Sequence, residues 1–312
     1  MDNKLFLDNM VGTYNTAPSH AEIYSVRQLS VDELNAKMKR LLRYTSDVCK
    51  TSTDRADWSV QQDRTLVRLP KGGRAIIHHA SGAMKITTGL QPMELMFEEK
   101  DYCKDDHIKM TESVFKKLNL DEFTGQKESL QFEKLWQIKA AAVNREQKFA
   151  AIRLCRVIGA FRHFAGNLPV LGPASVAIKL ASNGSLDSVQ TLIRETSGEA
   201  IEWAPIISAE EAADKVLLQL SSLMGKSSVD FSELITKQSM HFGYISLAKR
   251  KSQRILAPHY VAAISLRGKD AQAYQFVVPA TEKLYESTCN TGSHAFTNQV
   301  ARNRFTAQNN CK

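Results

Sequence analysis

Asn183-Gly184 stands between two apolar, alternating runs, residues 176–180 and 186–193. A two-residue loop needs positive φ at its centre, which asparagine tolerates and glycine adopts freely, so the flanking runs are predicted to pair as an antiparallel hairpin. The same texture recurs upstream. Strand-like residues 65–69, 75–79 and 84–88 are separated by Pro70-Lys71-Gly72-Gly73 and by Ser81-Gly82, the spacing of a meander. Further strand patterns occupy 150–164, 242–247, 260–266 and 274–278.

Helices are announced by their caps. Ser30 and Glu33 form an S-x-x-E box, in which each side chain satisfies a backbone N–H that the first turn leaves unpaired. Leu34, Met38, Leu41 and Leu42 follow at helical spacing and predict a helix over 31–43. Ser208 and Glu211 repeat the box ahead of Ala212, Val216, Leu217 and Leu220, which predicts a helix over 208–222. Residues 106–118 carry Ile108, Val114, Phe115 and Leu118 on one side. Leu130, Phe132, Leu135, Trp136 and Ile138 also fit helical spacing and predict a helix over 128–143, and Asp230 with Glu233 suits a short helix reaching Thr236. Helices interleaved with antiparallel strands give an α+β fold whose helices cover one face of the sheets. The units that follow are an arm over 1–29, α+β units over 30–125 and 126–222, a strand-rich unit over 223–288 and a tail over 289–312.

Composition narrows the class. With 43% hydrophobic and 24% charged residues among 312, the chain has the make-up of a globular protein. Its net charge of +8 is spread over 41 basic and 33 acidic residues. The densest basic run, Lys249, Arg250, Lys251 and Arg254, is short, which ranks nucleic-acid binding third among the functional readings. Cys49, Cys103, Cys155, Cys289 and Cys311 are scattered without a CxxC pair, so five free thiols in a reducing compartment are expected. No segment has the apolar run of a secretory leader or a membrane span, and a cytoplasmic location without a membrane partner is expected.

One stretch is more specific. Gly166-Asn167-Leu168-Pro169-Val170-Leu171-Gly172 leads through a strand to Asn183-Gly184, then past Trp203 to Ser208-Ala209-Glu210-Glu211-Ala212. This order over 160–211 resembles the PepSY and fungalysin/thermolysin propeptide families. Their pattern is a strand, a Gly/Pro corner, a strand, a D/N-G hairpin, a strand and a helix opened by S-x-x-E-A. The resemblance implies two or three cystatin-like, propeptide-type units that act by binding. No HExxH motif occurs in the sequence, and a stand-alone relative without a peptidase domain is expected.

His78 and His79 are adjacent, so on a strand they face opposite ways. Cys103 and His107, beside Asp105 and Asp106, share a helix face without the further ligands that zinc requires. Cys155 and His163 lie on one strand face but about 26 Å apart along it. No metal or cofactor is expected. The remaining candidates are Arg156, Arg162 and His163, because paired arginines hold a carboxylate or phosphate and a histidine titrates near neutrality. The leading reading is a non-catalytic binding or inhibitor-like module for a protein partner or a small anionic ligand. The alternative is a small-molecule enzyme whose pocket these three residues line.

Overall fold

In the computed structural model, the described residues are 17–49, 56–91, 94–98, 103–141, 143, 151–224, 235–267 and 273–285. The chain begins with β1 (His20–Val26), α1 (Val31–Cys49), β2 (Asp57–Val60), β3 (Arg64–Arg68), β4 (Arg74–His78) and β5 (Met84–Thr87). Then come α2 (Lys104–Lys117), β6 (Glu128–Ala140), β7 (Arg153–Ala165), β8 (Leu168–Leu171), β9 (Val176–Leu180), β10 (Leu186–Thr191) and β11 (Thr196–Pro205). It closes with α3 (Ala209–Met224), β12 (Ile235–Ile245), β13 (Ile255–Leu256), β14 (Pro258–Leu266) and β15 (Ala273–Pro279). These elements form two compact units, one of residues 22–204 with 243–257, the other of 1–21, 205–242 and 258–312.

In the first unit the main sheet runs β8–β7–β9–β10–β5–β4–β3–β2, with β6 on the other edge of β7. The predicted hairpin is present: Asn183 (φ 56°) and Gly184 (φ 77°) turn the chain, and Val189 pairs with Ile178. The meander is present too, with Leu66 opposite Ile76 and Ala75 opposite Ile86. One pairing is parallel, where Tyr244 and Ile245 of β12 meet Val170 and Leu171 of β8. A second, three-stranded sheet has the order β11–β1–β13.

Both helices of this unit share one core with the main sheet. Leu34, Met38 and Leu41 of α1 and Val114 and Phe115 of α2 pack with Ile77, Ile86, Val157, Ile178 and Val189. Phe115 stacks on Phe161 of β7 with ring centroids 4.2 Å apart. The Ser30 box closes as predicted: Glu33 N–H donates to Ser30 Oγ, and Ser30 N–H donates to Glu33 Oε2 at 2.8 Å. The helix extends past its predicted end to Cys49, with Thr45 buried and its hydroxyl donating to the Leu41 carbonyl.

In the second unit, α3 packs on the antiparallel pair β14–β15, which β12 extends on the other edge of β14. Its buried Ala212, Ala213, Val216 and Leu220 accompany Phe242, Tyr260, Ile264, Phe276 and Val278. The cap is again that of the sequence, Glu211 N–H donating to Ser208 Oγ at 3.1 Å.

The molecule is α+β, with predominantly antiparallel sheets and three helices among the described residues. Two helix expectations are corrected. Residues 128–140 are a strand paired with β7, in which a bulge between Phe132 and Lys134 shifts the inward-facing positions from 130 and 132 to 135. That one-residue slip turns a two-residue repeat into spacings of two and three, which imitate a helix. Thr236 lies in β12, not at the end of a helix, while Asp230 and Glu233 lie outside the described residues.

Candidate functional site

The three residues singled out on β7 do not converge. Arg156 and Arg162 are six positions apart, about 20 Å of strand, and each has its own partners. Arg156 is buried; its Nε donates to Asp187 Oδ2 at 2.8 Å, and its Nη atoms donate to the carbonyls of Gln91, Glu94 and Cys155. Lys179 Nζ completes the cluster, 2.9 Å from the same Asp187 oxygen. Arg162 grips both oxygens of Glu133 at 2.7 and 2.8 Å and donates to the carbonyls of Val170, Gly172 and Pro173. It therefore ties the Pro169–Gly172 corner to the bulge of β6.

His163 is wholly buried, with Nε2 3.1 Å from Glu128 Oε2, an ion-pair distance off the line of a good hydrogen bond. Glu128 also accepts the backbone N–H groups of Gly125 and Thr196, each at 2.6 Å. Burial alone would raise the Glu128 carboxyl. The His163 imidazole and those N–H donors outweigh it and hold the group below its ordinary 4.5. Tyr24 shares this neighbourhood, and burial first, then Glu22 and Glu128, push its phenol above the ordinary tyrosine range. A carboxyl depressed by folding contributes stability that is present above pH 4.5 and lost as the pH falls through the lower folded value. Glu128→Gln is thus expected to cost roughly 1–3 kcal/mol at neutral pH and to flatten the acid limb of a stability–pH curve. Denaturant titrations between neutral and acid pH check this; an unchanged acid limb would refute it.

A second fully buried arginine has no such partner. Arg194, just past β10, is 2% exposed, yet no carboxylate of the described residues lies within ion-pair distance of it. Its Nη2 donates to the carbonyls of Leu247, Ala248 and Lys251 at 3.2, 3.4 and 2.8 Å, and its buried Nε has no partner. Burial pushes the guanidinium down to about 10. Arg194 lines a cavity of about 50 Å³ within the first unit, bounded by the β1–α1 connection, the β4–β5 turn and α1. Arg27 and Lys37 also line it, both paired with the adjacent Glu195.

Carbonyls of the basic turn are what Arg194 binds. Lys249, Arg250, Lys251 and Arg254 are all exposed there, and Ser81 Oγ of the cavity wall donates to the Lys249 carbonyl. The field of this turn reaches β4, where burial and then Lys249 and Arg250 hold His78 below the ordinary histidine range. Nothing in its spacing marks Arg194. The only sequence signal is a lone arginine directly after the apolar pair Leu192-Ile193.

The remaining candidates stay separate. Cys103 is exposed, whereas His107 is buried edge-on to Phe97 at 4.8 Å. His79 is engaged with Thr65 Oγ1 and the Gln62 carbonyl. Cys49, Cys103 and Cys155 carry no disulfide, while Cys289 and Cys311 lie outside the described residues. No helix of the described residues is long and apolar enough to cross a membrane.

No protein-family model matches the chain, and no curated protein matches its sequence. Among solved structures, the chain is similar to an uncharacterized protein from Eubacterium rectale ATCC 33656, known from a crystal structure at 1.45 Å resolution. The two share 10% identity over 86% of this chain and 87% of that one, with a TM-score of 0.54, a likeness of fold.

Proposed function

We propose that the chain is a non-catalytic binding module of cystatin-like, propeptide type, which takes an extended segment of a partner protein along β6. The observation that carries this reading is the edge itself. Apart from the bulge residue Glu133, β6 pairs along its length with β7 and, among the described residues, with no other strand. An open edge presents a row of unpaired N–H and C=O groups, the template used in β-strand addition. From Trp136 to Lys139 every residue is exposed, with Trp136 and Ile138 at 41% and 37%. Glu133 is neutralised by Arg162, so Lys134 and Lys139 set the charge of the edge and favour an acidic, apolar segment. The chain order β7–β8–β9–β10–β11–α3, with its corner, its Asn-Gly hairpin and its capped helix, agrees with the propeptide resemblance. The separate anchoring of Arg156, Arg162 and His163 disfavours the enzyme reading.

A displayed library of random extended peptides, selected on the purified protein and followed by amide exchange, tests this. Selected peptides are expected to be acidic and apolar and to protect alternate amides of 128–140. Trp136→Ala, a change at an exposed site, is expected to weaken them by about tenfold or more. Peptides that protect amides elsewhere, or that bind the Trp136→Ala protein equally, would remove the edge from the mechanism.

A further inference from the structure

We propose that the cavity beside Arg194 is a binding site for a small tetrahedral oxyanion, a phosphate or sulfate group, separate from the β6 edge. A buried guanidinium normally has a carboxylate for company, because a charge withdrawn from water must be compensated. The buried Arg156 obeys this rule, as does the partly buried Arg162; among the described residues no carboxylate pairs with Arg194. Its three carbonyl contacts all use Nη2, while Nε, the inner half of the fork with which arginine grips oxyanions, is buried and unused.

The surroundings select the sign and size of the ligand. Among the lining side chains, Arg27, Lys37 and Arg194 supply three positive charges against the one carboxylate of Glu195. Glu195 is already engaged by Arg27 and Lys37, and Arg27 also meets Glu33 at 3.0 Å. A volume near 50 Å³ holds the centres of about three or four waters, comparable to the space one oxyanion displaces. The exposed Lys249, Arg250 and Lys251 sit on the turn that both Arg194 and Ser81 hold, so an approaching anion meets a positive field before reaching the cavity. The depressed guanidinium of Arg194 is consistent with a cation lacking its counter-ion.

The test is calorimetric titration of the full chain with inorganic phosphate and with sulfate, against acetate and chloride at matched ionic strength, with the Arg194 Nε–H resonance followed in parallel. One saturable site for the tetrahedral anions and a shifted Nε–H resonance are expected, and phosphate against sulfate affinity distinguishes the two groups. Arg194→Met is expected to weaken binding at least about tenfold, while Trp136→Ala leaves it unchanged. Should Arg194→Met fail to fold, Glu195→Gln decides, because removing the lining carboxylate must tighten phosphate binding; unchanged or weaker binding overturns the site. No saturable binding also overturns it. So does binding that leaves the Nε–H resonance unmoved and vanishes when Lys249, Arg250 and Lys251 are together changed to serine, which would place the anion on the surface turn.

Discussion

Gly159→Ala is expected to be among the most damaging single-methyl additions to this protein. A Cβ at Gly159 would lie 2.0 Å from Cγ2 and 3.0 Å from Cβ of Thr111, where α2 packs on β7. Thr111 is fully buried, its hydroxyl donates to the His107 carbonyl at 2.8 Å, and the Phe115–Phe161 stack fixes the next turn of the helix. The helix therefore has little freedom to retreat, and overpacking of this kind costs about 3 kcal/mol or more. The offending atom is one methyl group. Thr111→Ser deletes it and keeps the hydroxyl, so the double variant is expected to regain most of the loss, with a coupling of about 2 kcal/mol in a double-mutant cycle. Denaturant midpoints of the four proteins measure this. An alanine variant as stable as the parent, or one that serine does not rescue, would mean that α2 approaches β7 less closely.

Arg156→Met is expected to cost about 3–5 kcal/mol, the usual penalty for removing one partner of a buried ion pair. Methionine keeps much of the buried stem. It strands the carbonyls of Gln91, Glu94 and Cys155 and leaves Asp187 to Lys179 alone. Lysine is a poor substitute, since a point charge cannot serve four acceptors spread around a planar fork, and Arg156→Lys should recover less than half of the loss. The damage has an address. Phe97 N–H donates to the Leu154 carbonyl and Ser182 N–H to the Leu95 carbonyl, so these two bonds tie down the residues that directly follow the segment Arg156 clamps. Amide exchange should show the amides of Phe97 and Ser182 losing protection before the ladder between β9 and β10 does. A variant within 1 kcal/mol of the parent, or a uniform loss of protection, would deny the clamp.

What the sequence disclosed and what it concealed have physical reasons. Capping boxes and the Asn-Gly turn are local: Ser30 with Glu33, Ser208 with Glu211, and Asn183 with Gly184 each act within four residues, so neighbours in sequence suffice to read them. The bulge of β6 is not local. Glu133 leaves the ladder to meet Arg162, 29 residues downstream, and the apolar spacing it disturbs then passes for a helix. Likewise, the alternation of β7 suggested two arginines on a shared face. Nothing nearby reveals that Asp187 claims one and Glu133 the other. Arg194 was hardest to foresee, since its significance lies in the lack of a paired acid among the described residues and in carbonyls contributed by a distant turn.

That last contact bears on how the chain can be made and cut. The carbonyls that receive Arg194 arrive 53 to 57 residues after it, and β13, which pairs with β1, arrives later than 230 residues after its partner Tyr24 is synthesised. Neither compact unit is continuous in sequence: the first closes only with 243–257, and the second brackets it. During vectorial synthesis the first unit must wait, incomplete, while α3 and β12 emerge from the ribosome. A fragment ending near residue 204 would leave Arg194 buried without an acceptor, or draw it out into water and open the cavity wall. The protein is therefore expected to resist division into independently expressed halves, and a nick between the units should release neither as a folded piece.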